Sequence, residues 1–170
     1  RAFPGKDWDF YNGVSSNPSL TDEMLREFKD KDWNWGFSTR HTPGEELVLG
    51  LVDKPWDWWS VPISISILEK KIGHPSPTDR WFWTHISSNP KLALNIIRRF
   101  RDNPWDWMYV SRNPGIAMED ITGNLDLPWD WDLVSENPNL TSKFVLENQG
   151  LPWNYRRVSM NLFNRDPVVR

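Results

Sequence analysis

The chain has 170 residues, a formal net charge of −3 at pH 7 and no cysteine. Without cysteine, disulfides and thiolate metal sites are excluded, and the small negative balance gives no reason to expect nucleic acid as a partner. No run of about 18 apolar residues occurs, so the sequence predicts no membrane span. Tryptophan stands out with 13 copies, far more than ordinary composition gives.

The tryptophans recur with a period near 24 residues. The first column is Trp8, Trp33, Trp56, Trp81, Trp105, Trp129 and Trp153, at spacings of 25, 23, 25, 24, 24 and 24 residues. A second aromatic column follows two positions later: Phe10, Trp35, Trp58, Trp83, Trp107, Trp131 and Tyr155. Such periods are typical of repeat proteins. The sequence therefore predicts a single repeat array over residues 1–170, with units starting near 8, 33, 56, 81, 105, 129 and 153, as a fragment of a longer chain.

The sequence of each unit predicts two short helices joined by a turn. The first is expected to begin near Pro-Trp-Asp-Trp, with the proline in its first turn and the aspartate near its positive end. It is expected to end at Asn-Pro, because the residue before a proline disfavours helical backbone. The second helix is expected to begin after an N-cap such as Thr21, Ser64 or Thr141.

Along the chain, some units fit this pattern better than others. Unit 1 fits after a one-residue insertion, with an apolar helix face at Met24, Leu25 and Phe28, whereas units 2 and 3 lack the Asn-Pro step. Units 4 to 6 carry that step, and unit 7 is degenerate. Helices of about two turns do not persist alone in water. The fold class is thus predicted as all-α, an α-solenoid of seven short helix-turn-helix repeats packed on one another.

Both aromatic columns are interpreted as the core of the repeats. Two residues that lie two positions apart on a helix are separated by about 200° of rotation and therefore point to opposite sides. The second aromatic is expected to face its own unit's second helix, and the first tryptophan is expected to face the adjoining unit. A buried tryptophan contributes about 4–6 kcal/mol before entropy is counted. Trp59 lies outside both columns and is the tryptophan expected to be exposed. The competing interpretation is that the aromatics stack on sugars or bases.

The polar columns are interpreted as structural. The aspartates between the aromatics are expected to cap helices, rather than to form a carboxylate cluster, and the asparagine column is expected to bond backbone across a turn. No catalytic, cofactor-binding or metal-binding residue is predicted, since the histidines lack metal-ligand spacing. No cofactor is expected. A possible surface contact comprises Trp59, Arg98, Arg99 and Arg101.

The motif Pro104-Trp105-Asp106-Trp107, followed by a hydrophobic residue, serine and Asn-Pro, with Leu140-Thr141 in the next unit, resembles a known family. It is similar to the repeat proteins of large nucleocytoplasmic DNA viruses, such as iridoviruses, marseilleviruses and mimivirus relatives. The resemblance implies a solenoid of helix pairs and brings no catalytic residues.

We therefore expect a non-enzymatic viral structural or scaffold protein, such as a minor virion or capsid-associated component. Its expected partners are capsid or host proteins, in the virion or the infected-cell cytoplasm. Two alternatives stay open. One is a soluble adaptor that binds a host or viral protein along the solenoid surface. The other is an aromatic-rich module that binds glycans or nucleic acid. The sequence leaves the oligomeric state open.

Overall fold

The computed structural model describes residues 7–36, 42–73 and 80–163, and every regular element within these ranges is helical. The prediction of an all-α protein is confirmed for this part of the chain. None of these helices is long and apolar enough to cross a membrane. The chain divides into two compact units, Arg1–Thr78 and Asp79–Arg170.

The unit Arg1–Thr78 contains the second helices of the first three repeats. They are α1 (Asp22–Glu27), α2 (Glu45–Gly50) and α3 (Ile65–Ile72), preceded by a 3₁₀ helix at Val14–Ser16. The predicted N-caps Thr21 and Ser64 are confirmed, because their side chains accept hydrogen bonds from backbone amides three residues on. α2 packs against α3. The core between them contains fully buried aliphatic side chains of Leu47, Val48, Ile67 and Leu68.

The unit Asp79–Arg170 contains both helices of repeats 4 to 6 and the first helix of repeat 7. In chain order these are α4 (Arg80–Ser88), α5 (Leu94–Arg99), α6 (Trp107–Ser111), α7 (Met118–Thr122), α8 (Trp131–Val134), α9 (Ser142–Glu147) and α10 (Tyr155–Val158). The first helices pack in succession, α4 on α6 and α6 on α8. Thr141 caps α9, as predicted.

In repeats 5 to 7 the first helix begins two residues later than the sequence predicted. α6, α8 and α10 start at the second aromatic, and the residue before it is the N-cap. The proline therefore lies outside the helix. The amide of Trp105 donates to the carbonyl of Asn103 at 2.8 Å, which closes a γ-turn centred on Pro104. Proline suits that position because its φ is fixed and it has no N–H to satisfy.

Repeat 3 lacks the first helix that the sequence predicted. The amides of Ser60 and Val61 both bond to the carbonyl of Asp57, which forms a single turn. Pro62 follows at once; it has no amide to continue the helix and disfavours helical backbone at Val61. The first helix expected in repeat 2 falls on residues 37–41, outside the described residues.

Gly115 lies where repeat 5 approaches repeat 4 most closely. An added Cβ would stand 2.3 Å from the carbonyl oxygen of Leu92 and 2.8 Å from that of Pro90. We expect Gly115→Ala to lower the free energy of unfolding by about 1–3 kcal/mol, because the backbone of one repeat must move away from the other. Urea unfolding followed by circular dichroism measures this change.

The matched control is Gly50→Ala, since an added Cβ at Gly50 meets no atom within 4 Å. Gly50 is the last residue of α2, so alanine there should be neutral or stabilise by up to about 1 kcal/mol. Equal losses of stability in the two variants would contradict the close approach.

Candidate functional site

The two aromatic columns meet each other at the contact between successive repeats, which we call the repeat interface. The second aromatic of one repeat lies edge-on against the first tryptophan of the next. In the described residues the ring centroids are 5.1 Å apart for Phe10–Trp33, 4.7 Å for Trp35–Trp56, 5.0 Å for Trp83–Trp105, 5.2 Å for Trp107–Trp129 and 5.4 Å for Trp131–Trp153. Edge-to-face pairs at these distances are the favourable arrangement of aromatic quadrupoles.

The first tryptophan is also held by its indole nitrogen. Trp105 Nε1 donates to the carbonyl of Phe100 at 2.9 Å; Phe100 is the C-cap residue of α5. The same bond, always five residues back along the chain, is made by Trp33, Trp56, Trp129 and Trp153 at 2.8 Å. A helix end leaves carbonyls without partners, so this bond satisfies one of them and ties the end of one repeat to the start of the next.

Most of the aromatic rings that make these contacts are buried or half-buried. Of the predicted core residues, those buried are Trp33, Trp35, Trp56, Trp58, Trp83, Trp105, Trp129 and Trp153, while Phe10, Trp107 and Trp131 are half-buried. The sequence expected the second aromatic to face its own second helix, and Phe10 does contact Phe28, the C-cap residue of that helix, at 6.0 Å. The second aromatic also contacts the next repeat's first tryptophan, in agreement with the expectation that the first tryptophan reaches the adjoining unit.

Three predicted core residues are exposed, and the prediction is wrong for them. Trp8 is 53% exposed, Trp81 is 72% exposed and Tyr155 is 58% exposed. Trp81 lies inside α4 and not before it, so its ring is directed differently and contacts His85 at 6.2 Å.

A serine column, which the sequence analysis assigned no role, forms a second contact across the repeat interface. The Oγ atoms of Ser87, Ser111 and Ser135 accept the backbone amides of Asp106, Asp130 and Asn154 at 2.9, 2.9 and 3.0 Å. Ser15 accepts the amide of Asn34 in the same way at 2.9 Å. All four serines are buried. The signal in the sequence was a serine that directly follows an apolar residue and stands two positions before the asparagine column.

The asparagine column forms a third contact, and it does more than the predicted bond across the turn. Asn113 Oδ1 accepts the amide of Gly115 within its own turn at 2.7 Å. Its Nδ2 donates to the carbonyls of Ser87 and Asn89 in the preceding repeat, at 2.8 and 2.9 Å. Asn137 and Asn161 repeat this pattern one and two repeats further on. The column is therefore a ladder that satisfies buried carbonyls.

The acidic column caps backbone and does not assemble into an acid–base pair. Asp130 Oδ1 accepts the amide of Leu133 at 3.2 Å, and Asp9 Oδ1 accepts that of Asn12 at 2.9 Å. Asp106 is the N-cap of α6, and its carboxylate accepts from Thr84 at 3.4 Å. Asp106 and Asp130 thus occupy N-cap positions, where side-chain acceptors are favoured.

The basic candidates contact the next repeat. Arg98 donates through Nε to Asn124 Oδ1 at 3.0 Å, and Arg101 pairs with Asp126 at 3.0 Å. Arg99 lies over the ring of Phe100, at 5.9 Å. Trp59 is 53% exposed. The three arginines and Trp59 are solvent-accessible, and at least Arg98 and Arg101 also link neighbouring repeats.

Other ion pairs also join neighbouring repeats, such as Arg26 with Glu46 at 3.6 Å. Arg157 contacts Glu136, and its Nε lies 3.5 Å from Asp132 Oδ2. The hydrogen bond to Glu136 raises the pKa of Arg157 above its ordinary value. Among the described residues, no group of three or more potential metal ligands occurs.

A substitution at Asn113 measures how much the asparagine ladder contributes to the free energy of unfolding. We expect Asn113→Ala to lower the free energy of unfolding by about 2–4 kcal/mol, because it leaves the buried carbonyl of Ser87 and the amide of Gly115 without these partners and removes one of the two hydrogen bonds to the carbonyl of Asn89. Urea unfolding monitored by tryptophan fluorescence reports the loss. Asn17→Ala is the control, since Asn17 is exposed and bonds only the amide of Ser19 within its own turn. Similar losses in both variants would be inconsistent with a ladder.

Comparison with known proteins finds no match: no protein family, no curated protein and no solved structure is similar to this chain. The resemblance to viral repeat proteins accordingly stays a prediction that rests on the motif. What the chain can do is argued below from the repeat interface and from the residues that it leaves at the surface.

Proposed function

We propose that this protein is an α-solenoid of seven repeats and that it works as a non-enzymatic structural or scaffold component. The observation that carries this proposal is that some columns recur from repeat to repeat, whereas another column varies. Aromatic, serine and asparagine columns recur and are used for contacts between repeats. The column three residues after each first tryptophan differs at every repeat: Tyr11, Gly36, Trp59, Thr84, Met108, Asp132 and Arg156.

That variation supports binding to several different neighbours. A uniform interior with a varied exterior is what a solenoid needs to present a distinct surface at each step. Three polar residues of the kinds that reactive sites use already bond backbone groups. Buried Ser111 and Asn113 bond backbone groups of adjacent repeats, and the carboxylate of Asp130 caps a helix. This arrangement favours a protein that functions by binding other proteins.

The resemblance of the Pro-Trp-Asp-Trp motif to viral repeats supports a place in a virus particle. We expect this protein to be present in purified virions of the virus that encodes it, in fixed ratio to the major capsid protein, as quantitative mass spectrometry would measure. A protein found only in infected-cell lysate, and bound there to one host or viral protein, would replace the scaffold proposal with the adaptor alternative.

Three exposed tryptophans, Trp8, Trp59 and Trp81, favour the glycan or nucleic-acid alternative as a second candidate. If the aromatic columns are core, acrylamide should quench only a minority of the tryptophan fluorescence in the folded protein and nearly all of it in urea. Titration with oligosaccharides and with single-stranded DNA should then leave the emission unchanged. Free quenching of most indoles, or a saturable shift with either ligand, would favour stacking on ligands over packing.

A further inference from the structure

A shallow groove remains open between repeat 1 and repeat 2, beside α1 and α2. Its volume is about 270 Å³, and its lining residues are Arg26, Lys29, Leu47, Gly50 and Leu51. The two leucines are buried, whereas the two cationic side chains are exposed. The groove therefore has an apolar floor and a positively charged edge.

At the equivalent place between α5 and α7, the protein's own side chains bind the cations. Arg98 Nε donates to Asn124 Oδ1 at 3.0 Å, and Arg101 pairs with Asp126 at 3.0 Å. Asn124 is buried, so its amide oxygen lies within the contact between the two repeats. Each of these two arginines of repeat 4 thus has an oxygen acceptor that repeat 5 supplies.

Repeat 2 lacks the first of these acceptors. Counted from the N-cap of each helix, Arg26 corresponds to Arg98 and Leu51 corresponds to Asn124, and leucine offers no oxygen. Arg26 lies 3.6 Å from Glu46, but these side chains are 46% and 90% exposed, and such surface pairs contribute little. A guanidinium has five N–H donors, so Arg26 can bind a further carboxylate beside Glu46.

The second cation of the groove also has no acceptor. By the same count, Lys29 corresponds to Arg101, and Asp53 corresponds to Asp126. Asp53 lies 4.0 Å from Lys54, and Lys29 forms no ion pair with any residue in the described ranges. Repeat 1 therefore presents two cationic side chains at the edge of an apolar groove, without the oxygens that satisfy their counterparts in repeat 4.

We propose that this groove binds an acidic side chain of a partner protein together with a neighbouring apolar side chain of that partner. The carboxylate would take the place that Asn124 Oδ1 has in repeat 5, within reach of Arg26 and Lys29. The apolar side chain would cover Leu47 and Leu51.

The size of the groove favours side chains of a protein over a free small molecule. Pockets for drug-sized ligands enclose about 300–1,000 Å³, whereas this groove has about 270 Å³ and is open to solvent. It therefore suits one or two side chains. The inference deepens the proposed function and rests on it, since it requires that the protein binds other proteins.

Nuclear magnetic resonance titration of the 170-residue chain tests this inference. The probes are two tetrapeptides, Gly-Glu-Leu-Gly and Gly-Leu-Glu-Gly, acetylated and amidated so that the glutamate carries their only charge. At least one of them should shift the amide signals of Gly50 and Leu51 saturably, with a Kd on the order of 1 mM for so small a contact. The same peptides with glutamine in place of glutamate should bind about fivefold more weakly or less, because they lose the charge-assisted hydrogen bonds.

Variants at the charged edge locate the carboxylate. Arg26→Gln and Lys29→Gln should each weaken binding of the glutamate peptide by about three- to tenfold. Lys70→Gln is the matched control, because Lys70 is an exposed lysine of α3 that does not line the groove. Binding to that variant should be unchanged.

A variant at the glycine tests the shape of the groove. An added Cβ at Gly50 meets no atom within 4 Å, so the side chain of Gly50→Leu has room to lie in the groove without displacing its neighbours. Peptide binding should be lost in this variant, while its circular dichroism and its urea midpoint should match those of the unaltered chain.

No saturable shift with either glutamate peptide up to about 10 mM would overturn the proposal. Equal affinity for the glutamine peptides, or shifts confined to residues away from the groove, would do the same. Tighter binding of 4-methylpentanoate, which has both groups without a peptide backbone, would replace the protein partner with a small carboxylate. These outcomes are separate from the measurement on purified virions, so a groove that fails leaves the scaffold proposal to be decided there.

Discussion

The first tryptophan of repeats 2, 3, 5, 6 and 7 joins three pieces of chain at one point. Its indole N–H bonds the carbonyl at the end of the preceding second helix, and its ring lies against the second aromatic of the preceding repeat. Its backbone follows a γ-turn directly into the next helix. The described α-helices have between 4 and 9 residues, and isolated helices shorter than about 12 residues are marginal in water. Their persistence therefore depends on this contact with the neighbouring repeat.

The polar columns make such tight stacking possible. Turns between short helices leave carbonyls that become buried when repeats pack, and a buried carbonyl without a partner costs about 1–3 kcal/mol. Asn113 and Asn137 reduce this cost, because each donates to two carbonyls in the preceding repeat. Where repeats 4 and 5 approach most closely, glycine replaces a side chain altogether. At the equivalent position one repeat later, Asn139 instead donates to the carbonyls of Pro114 and Ile116.

The sequence predicted what each residue does within its own repeat better than what it does between repeats. The period, the aromatic columns and the caps Thr21, Ser64 and Thr141 follow from spacing and local backbone chemistry. The exposure of Trp8 and Tyr155 could not follow from their columns, because burial is provided by the neighbouring repeat and not by the residue itself. The serine contact spans 19 residues, so no local rule identifies its partner. The late start of the first helices reflects a γ-turn that competes with a helical first turn at proline.

The division between the two units falls where the columns are least regular. Repeat 3 has Pro62 in the serine column, so it offers no hydroxyl to accept an amide, and its first helix is reduced to one turn. Repeat 4 has Phe82 in place of the aspartate, and its first helix already includes Trp81. In the regular repeats of the unit Asp79–Arg170, a serine and the amide of the following acidic-column residue occupy these positions, and they form a hydrogen bond, as between Ser111 and Asp130. Repeat proteins are stabilised mainly by nearest-neighbour contacts, so the stability of each unit depends on the regular contacts within it.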